Sequence, residues 1–413
     1  MKQKKVVITG MGALAPNGNS VNEYWSAIKS GTSGISTISY FDTSDHRVTI
    51  AGELKNFDPN NFIEKKEIRK LDPFSIYALS AAQEAVDSSN INLENINLDR
   101  AGVVIATGIG GIRTLENEHD IINNKGPRRV SPLFVSKMIP NIAGGHLSMK
   151  FGFRGPSQTI ISACASSNDA IGIALRLIRY GDADIILTGG TEASITPLTI
   201  SGFANMKALS QNCTNPTKAS RPFDADRDGF VLSEGAGILV LESEEHALKR
   251  DAPILAELAG YGSTDDAFHI TQPAPEGLGA NKAMKIALLD ANLLPNDVNY
   301  INAHGTSTPF NDKNESIAIS KVFKNNINKL KVSSTKSMTG HLLGAAGGIE
   351  AIATVKAIQN NIIPPTINYD KPDPNCNLYY TPNKYEKHQI DAALSNTFGF
   401  GGHNAVLCFK RYN

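Results

Sequence analysis

The chain has 413 residues, 41% of them hydrophobic and 19% charged, and its forty basic side chains balance forty acidic ones. That length allows a large apolar core in two domains or in one duplicated unit, and the charge balance excludes a global field that recruits nucleic acid or membrane. No apolar run approaches the roughly eighteen residues that a membrane span needs, so the chain reads as not membrane-spanning.

At the start, Lys2, Lys4 and Lys5 before an apolar stretch, with Ala13-Leu14-Ala15 after it, imitate a secretory signal, but Thr9, Gly10 and Gly12 interrupt the apolar run. Val6-Val7-Ile8 before a glycine turn reads instead as the first strand of an α/β domain. Gly10-Met11-Gly12-Ala13-Leu14-Ala15 nearly matches a dinucleotide fingerprint, yet Pro16 stands where its helix must continue, which makes a nicotinamide site the minority reading. Further apolar segments at Val103–Ala106, Ile160–Ala163, Asp184–Thr188, Ile238–Leu241, Tyr300–Ala303 and Val332–Ser334 alternate with helical stretches, the grammar of an α/β fold.

Cys164 follows a strand read over Ser157–Ala163 and precedes Ala170, Ile171, Ala174, Leu175 and Ile178 at helical spacing. A thiol at a strand-to-helix turn, with Ser166, Ser167 and Asn168 available as caps, suits a nucleophile facing unpaired N–H groups. By position alone it reads equally as a small buried core residue. Asp224-Ala225-Asp226-Arg227-Asp228-Gly229 opens like a calcium loop, but Gly235 stands where the bidentate glutamate belongs, so the stretch reads as a structural loop with internal ion pairs.

The order of elements then repeats. Residues 85–91 lead into Val104-Ile105-Ala106-Thr107-Gly108, and residues 287–293 lead into Tyr300-Ile301-Asn302-Ala303-His304-Gly305. The glycine-rich turn and strand at 233–241 is echoed at 399–407. A division near Asp251 to Gly260 gives an N-terminal half over 1–255 and a C-terminal half over 256–413. His304, Lys336 and His341 lie at loop-helix junctions of the second half, so with Cys164 they fit one site across the seam. Either histidine alone reads as structural, and no third metal ligand has the usual spacing. Lys324–Lys331 reads as an exposed loop. Four widely spaced cysteines, Cys164, Cys213, Cys376 and Cys408, suit neither a disulfide framework nor a zinc cluster and point to a reducing, cytoplasmic compartment.

Taken in order, Val7-Ile8-Thr9-Gly10-Met11-Gly12, Ala163-Cys164-Ala165, Gly229-Phe230-Val231, Glu234-Gly235-Ala236-Gly237, Asn302 to Thr308, Lys336 to His341 and Phe398 to Gly402 make the chain resemble the elongating β-ketoacyl-acyl carrier protein synthases of the thiolase superfamily, most closely their synthase II branch. The resemblance covers essentially the whole chain. It implies a thiolase-like α/β fold of two pseudo-repeated halves layered α-β-α-β-α, and a decarboxylative condensation of an acyl-enzyme with malonyl-acyl carrier protein in fatty acid elongation, with no cofactor and no metal. It makes Cys164 the acyl acceptor, His304 and His341 donors to the malonyl thioester carbonyl, and the N–H groups of Cys164 and Phe400 the oxyanion hole. Lys336 orders the site, paired with Glu350 and with Asp312 and Glu315 nearby.

By the same resemblance Thr271, Thr306 and Thr308 contact the phosphopantetheine arm, while Ile109, Phe203 and Phe400 line or gate the acyl pocket. Lys65, Lys66, Arg69, Lys70, Arg128, Arg129 and Lys207 form a basic face for an acidic carrier protein, and a homodimer is implied. For the apolar residues core packing is a rival reading, and for the basic ones a solvated charge run. Ser166-Ser167 and His403 depart from the usual pattern and leave acyl preference open. The final glycine-rich loop has no second cysteine, since Cys408 reads as strand, which disfavours thiolysis, and His341 in place of an asparagine disfavours initiation. The other readings weighed are a nicotinamide dehydrogenase and a noncatalytic chain-length partner, which lacks the cysteine.

Overall fold

In a computed structural model, which describes residues 4–412, the alternation of apolar segments resolves into a ten-stranded sheet. Its strands are β1 (Val6–Leu14), β2 (Ala101–Ala106), β3 (Ser157–Ile160), β4 (Ile185–Glu192), β5 (Gly235–Ser243), β6 (Ala256–Asp265), β7 (Tyr300–Asn302), β8 (Lys331–Ser333), β9 (Ala392–Phe398) and β10 (His403–Lys410). They lie side by side in the order β8-β7-β9-β10-β6-β1-β5-β4-β2-β3.

That order is the same five-strand pattern twice, turned about the centre. β2 runs parallel to β3 and β4, β4 antiparallel to β5, and β5 antiparallel to β1. In the second set β7 runs parallel to β8 and β9, β9 antiparallel to β10, and β10 antiparallel to β6. The sets join where Val7 and Ile8 face Glu257 and Ala256.

Six of the helices cover and separate the strands: α1 (Pro73–Ser88), α2 (Ile142–Phe151), α3 (Ser166–Tyr180), α4 (Leu278–Asp290), α5 (Pro309–Phe323) and α6 (Ala346–Asn360). α1 and α2 pack on the outer face of the first set, and α4 and α5 on that of the second. α3 and α6 lie between the sets, sharing one core with strands of both. The layers are therefore α-β-α-β-α, the thiolase-like arrangement that the motifs implied. Twelve of the fifteen residues of α6 are buried, as a central helix requires. Glu350 is one of them, a carboxylate that must find a partner inside.

Two local readings change. Gly10 and Gly12 do not form a turn, because β1 continues through them with a shift of register between Ile8 and Gly10. They are glycines because α1 crosses there: a Cβ at Gly10 would stand 2.1 Å from Ala85 O and one at Gly12 1.8 Å from Ala81 O. The Asp224–Gly229 loop is structural, but its ion pairs reach outward: Arg227 pairs with Asp312 and Asp373, and Asp226 with Lys371. Among the described residues no helix is long and apolar enough to cross a membrane.

Candidate active site

The cysteine turn is tighter than strand periodicity suggested. Pairing of β3 with β2 ends at Ile160, so the strand stops there rather than at Ala163. The chain then makes a 3-10 turn over Ala163–Ala165 and enters α3 at Ser166. Ala163 has φ +51°, a left-handed conformation that costs a residue with a Cβ about 1 kcal/mol or more. Ser166, Ser167 and Asn168 are not caps but the first helical residues. Ser166 Oγ accepts from Ser162 N at 2.8 Å and donates to Ala163 O at 2.5 Å, Ser167 Oγ donates to Gly344 O, and Asn168 Nδ2 donates to Ser395 O at 3.0 Å. Their polar groups lash the turn to its surroundings.

Cys164 itself is 8% exposed, at a cavity of about 360 Å³. The backbone N–H groups of Cys164 and Phe400 both address its sulfur. Their pull, and the positive charge of Lys336, are outweighed by burial, which pushes the thiol up to about 11 from an ordinary 9.0. The facing N–H groups therefore favour the thiolate without producing it in the resting site, because burial outweighs them.

His304 and His341 line the same cavity as Cys164. His341 crosses the seam as an added strand rung: its N–H donates to Val231 O at 2.8 Å and its carbonyl accepts from Ser233 N at 3.0 Å. The imidazoles stand edge to face, with centroids 5.4 Å apart and planes at 86°. Phe230 packs edge-on to His341 at 5.3 Å, and Phe398 to His304 at 5.6 Å.

The hydrogen bonds assign the tautomers. Leu343 N donates to His341 Nδ1 at 3.2 Å, which leaves the proton on Nε2, a buried atom with no partner. Lys336 Nζ stands 3.3 Å from His304 Nδ1 and is ion-paired with Glu350. An ammonium can only donate, so His304 also carries its proton on Nε2. Burial, then the charge of Lys336, holds both imidazoles well below the usual histidine range, so both are neutral.

Four buried carboxylates stand around these groups. Glu315 accepts from His304 N and Gly305 N, each at 2.8 Å, and burial pushes its carboxyl up to about 6. Glu350, beside Lys336, is pushed up to about 7 by the same cause. Asp312 does not attend Lys336; it accepts from Phe223 N at 2.8 Å and faces Arg227. Sequence reasoning missed Glu192, fully buried at the end of β4. It accepts from Gly108 N at 2.7 Å, Gly344 N at 3.0 Å and Ser194 Oγ at 2.7 Å, and so ties the first half to the loop that carries His341.

Of the residues expected to hold substrate, Phe203, Thr271, Thr306 and Thr308 line the cavity, with the two hydroxyls of Thr306 and Thr308 2.9 Å apart. Ile109 does not line it and packs instead against the apolar cluster that contains Cys164. Lys207 lines the mouth, whereas Lys65, Lys66, Arg69, Lys70, Arg128 and Arg129 are exposed elsewhere on the surface. Lys66 and Lys70 are already paired, with Glu64 and Glu67. Among the described residues no group of three His, Cys, Asp or Glu side chains is placed to hold a metal ion.

Residues 3–247 match the beta-ketoacyl synthase N-terminal domain, and residues 255–370 match its C-terminal domain. The chain belongs to the beta-ketoacyl synthase family. This synthase is 49% identical over 412 residues to a 3-oxoacyl-[acyl-carrier-protein] synthase 2 of Synechocystis, covering 100% of the chain and 99% of that relative. It is 51% identical over 411 residues to the protein of the same name from Staphylococcus aureus, with the same coverage. Among solved structures it superposes on a ketosynthase of a type II polyketide system, in complex with an acyl-carrier protein, with a TM-score of 0.92 and 37% identity over 100% of both chains. The ishigamide ketosynthase/chain length factor gives 0.94 at 33% identity, also over 100% of both. Family and fold are those the motifs implied.

Proposed function

We propose that the chain is an elongating 3-oxoacyl-[acyl-carrier-protein] synthase, an acyltransferase that condenses an acyl group held on Cys164 with malonyl-acyl carrier protein. The names of its full-length relatives support the reaction class. The observation that carries the assignment of residues is the meeting, in one cavity, of a sulfur faced by two backbone N–H groups and an unpartnered imidazole N–H.

In the first half-reaction Cys164 sulfur attacks the acyl thioester. The oxyanion forms against the N–H groups of Cys164 and Phe400, and collapse expels the carrier thiol, which takes the proton the cysteine gives up. In the second, malonyl thioester enters with its carbonyl oxygen toward Nε2 of His304 and His341. Their N–H groups stabilise the enolate that forms as the carboxylate leaves as carbon dioxide. The enolate carbon attacks the acyl carbon on sulfur, and collapse releases the 3-oxoacyl product on its carrier and the Cys164 thiolate, which takes up a proton from water. Neutral histidines suit this role, since each donates from one nitrogen while the other is held. The Lys336–Glu350 pair orients His304, and Glu315 fixes its backbone.

Thr271, Thr306 and Thr308 offer hydroxyls along the path a phosphopantetheine arm takes to the sulfur, and Phe203 an apolar wall for the acyl chain. Lys207, exposed at the mouth, offers a cation to the acidic carrier protein, and the exposed cations of residues 65–70 and 128–129, which do not line the cavity, offer further ones elsewhere on the surface. The free edge of β3 suits pairing with a second copy in a homodimer, and unpaired cysteines suit a cytoplasmic setting.

The test incubates the protein with a long-chain acyl-carrier thioester and maps the adduct by peptide mass spectrometry. An acyl group on Cys164, absent with condensation in Cys164→Ala, is expected; an unmodified Cys164, with activity intact in that variant, sinks the reading.

A further inference from the structure

Ser162 is the hinge of the cysteine turn, and it is held from an unexpected side. Its carbonyl accepts from Ala165 N at 3.0 Å and lies against the oxyanion loop, since a Cβ at Gly399 would stand 2.5 Å from it. Its hydroxyl donates to Asp169 Oδ2 at 2.5 Å. The other oxygen, Asp169 Oδ1, accepts from the phenol of Tyr261, also at 2.5 Å. Asp169 lies in the first turn of α3, whereas Tyr261 belongs to β6 in the second set of strands. A buried carboxylate is thus shared by one hydroxyl from each set, with one bond to each oxygen.

The tyrosine has a built seat. A Cβ at Gly172 would stand 2.3 Å from the Tyr261 ring, so the ring lies flat where α3 lacks a side chain. On the same helix the Arg176 guanidinium covers the ring at 4.8 Å. Residues 169, 172 and 176 fall on one helical face, and Tyr261 is clasped by all three. Neither the ring nor Asp169 lines the cavity, so they contact no substrate.

We propose that Tyr261 is a positioning residue for acyl transfer: through Asp169 it fixes Ser162, and with it the strained turn that aims Cys164 at its two N–H donors. This rests on the reading of Cys164 as the acyl acceptor. Ala163 at φ +51° relaxes unless its neighbours over-determine it, and a small displacement of a reacting atom lowers rates steeply. His304 and His341 are held by other partners, so the relay acts on the sulfur half of the reaction alone.

The experiment compares wild type and Tyr261→Phe in two separate measurements, single-turnover acylation of Cys164 from an acyl-carrier thioester, and carbon dioxide release from malonyl-carrier thioester. The phenylalanine keeps the ring in its seat and removes only the hydroxyl. Acylation is expected to slow about tenfold at saturating donor, with half-saturation unchanged, while decarboxylation stays within about twofold. Ser162→Ala, which removes the far hydroxyl, carries the same prediction should Tyr261→Phe fold poorly. The double variant is expected to be no slower than the slower single one, because both cut one chain of bonds. Equal slowing of both half-reactions, unchanged acylation, or losses that multiply in the double variant overturns the inference. A wild type that never acylates Cys164 overturns the function reading and this inference with it, whereas normal wild-type acylation beside an equally fast Tyr261→Phe overturns the inference alone.

Discussion

After β3 the chain turns through Ala163–Ala165 into the fifteen-residue helix α3, and after β8 it turns through Leu343–Ala345 into the fifteen-residue helix α6. The two turns share their unusual backbone, with φ +51° at Ala163 and +46° at Leu343, and Gly344 stands where Cys164 does. What faces them differs. Beside the first turn the Gly399–Gly402 loop leaves a cavity and brings in the N–H of Phe400. Beside the second, Glu192 fills the space and takes the N–H of Gly344, and a Cβ there would stand 2.1 Å from Gly108 N. The same local fold therefore seats a cysteine at a cavity in one copy and is a sealed joint in the other. Chemistry is decided by what stands opposite the turn.

If surroundings outweigh the helix end, the sulfur holds its proton at neutral pH. Its titration is displaced upward, so the reactive thiolate grows as pH rises toward about 11. Alkylation of Cys164 by a neutral reagent such as iodoacetamide is expected to quicken about tenfold per pH unit, or about a thousandfold from pH 7 to pH 10. Mass spectrometric rates on the Cys164 peptide read this directly. A plateau by pH 8 would show that the turn, and not its burial, governs the thiol.

On the proposed mechanism the second copy supplies donors in place of a nucleophile, and the next test separates the two contributions. His304→Ala or His341→Ala is expected to slow malonyl decarboxylation about a hundredfold or more, as loss of an oxyanion donor does, while acylation of Cys164 stays within about threefold. Both histidines titrate well below the ordinary value, so they become charged only when pH falls below that depressed range. Between pH 8 and pH 6 decarboxylation should accordingly lose nothing to imidazole protonation, and a fall expected there follows the Glu350 carboxyl, pushed up to about 7 beside Lys336. A fall that persists in Glu350→Gln and vanishes in His304→Ala would contradict the neutral pair.

That Cys164, His304 and His341 meet at one cavity, with Lys336 against His304, was legible from their places at turns and loop-helix junctions, whereas Phe400 entered only through the family resemblance. Glu192 was not legible, since its partner Gly344 is 152 positions away and nothing local in Thr191-Glu192-Ala193 distinguishes a strand end from a clamp. The partner that Asp312 takes was not legible for a related reason. It lies three residues before Glu315 on one face of α5, and both are buried, yet one reaches Arg227 and the other the backbone of His304. Which carboxylate meets which partner depends on how the helix is docked, and spacing does not carry that. The end of β3 was missed because an apolar run does not mark where its ladder stops.

The smallest effect bears most directly on the two turns. Gly344→Ala adds one methyl group to a joint already closed by the backbone of Gly108 and the carboxylate of Glu192, so it is expected to destabilise the fold by about 2 kcal/mol, near a thirtyfold shift in the folding equilibrium. Cys164→Ala, at the matching position beside a cavity, removes a side chain without forcing anything apart and is expected to cost about 1 kcal/mol or less. Urea unfolding of the two variants under identical conditions gives both numbers. Equal midpoints for Gly344→Ala and wild type would mean that Glu192 and Gly108 move aside readily, and then the second turn is an empty seat rather than a sealed one.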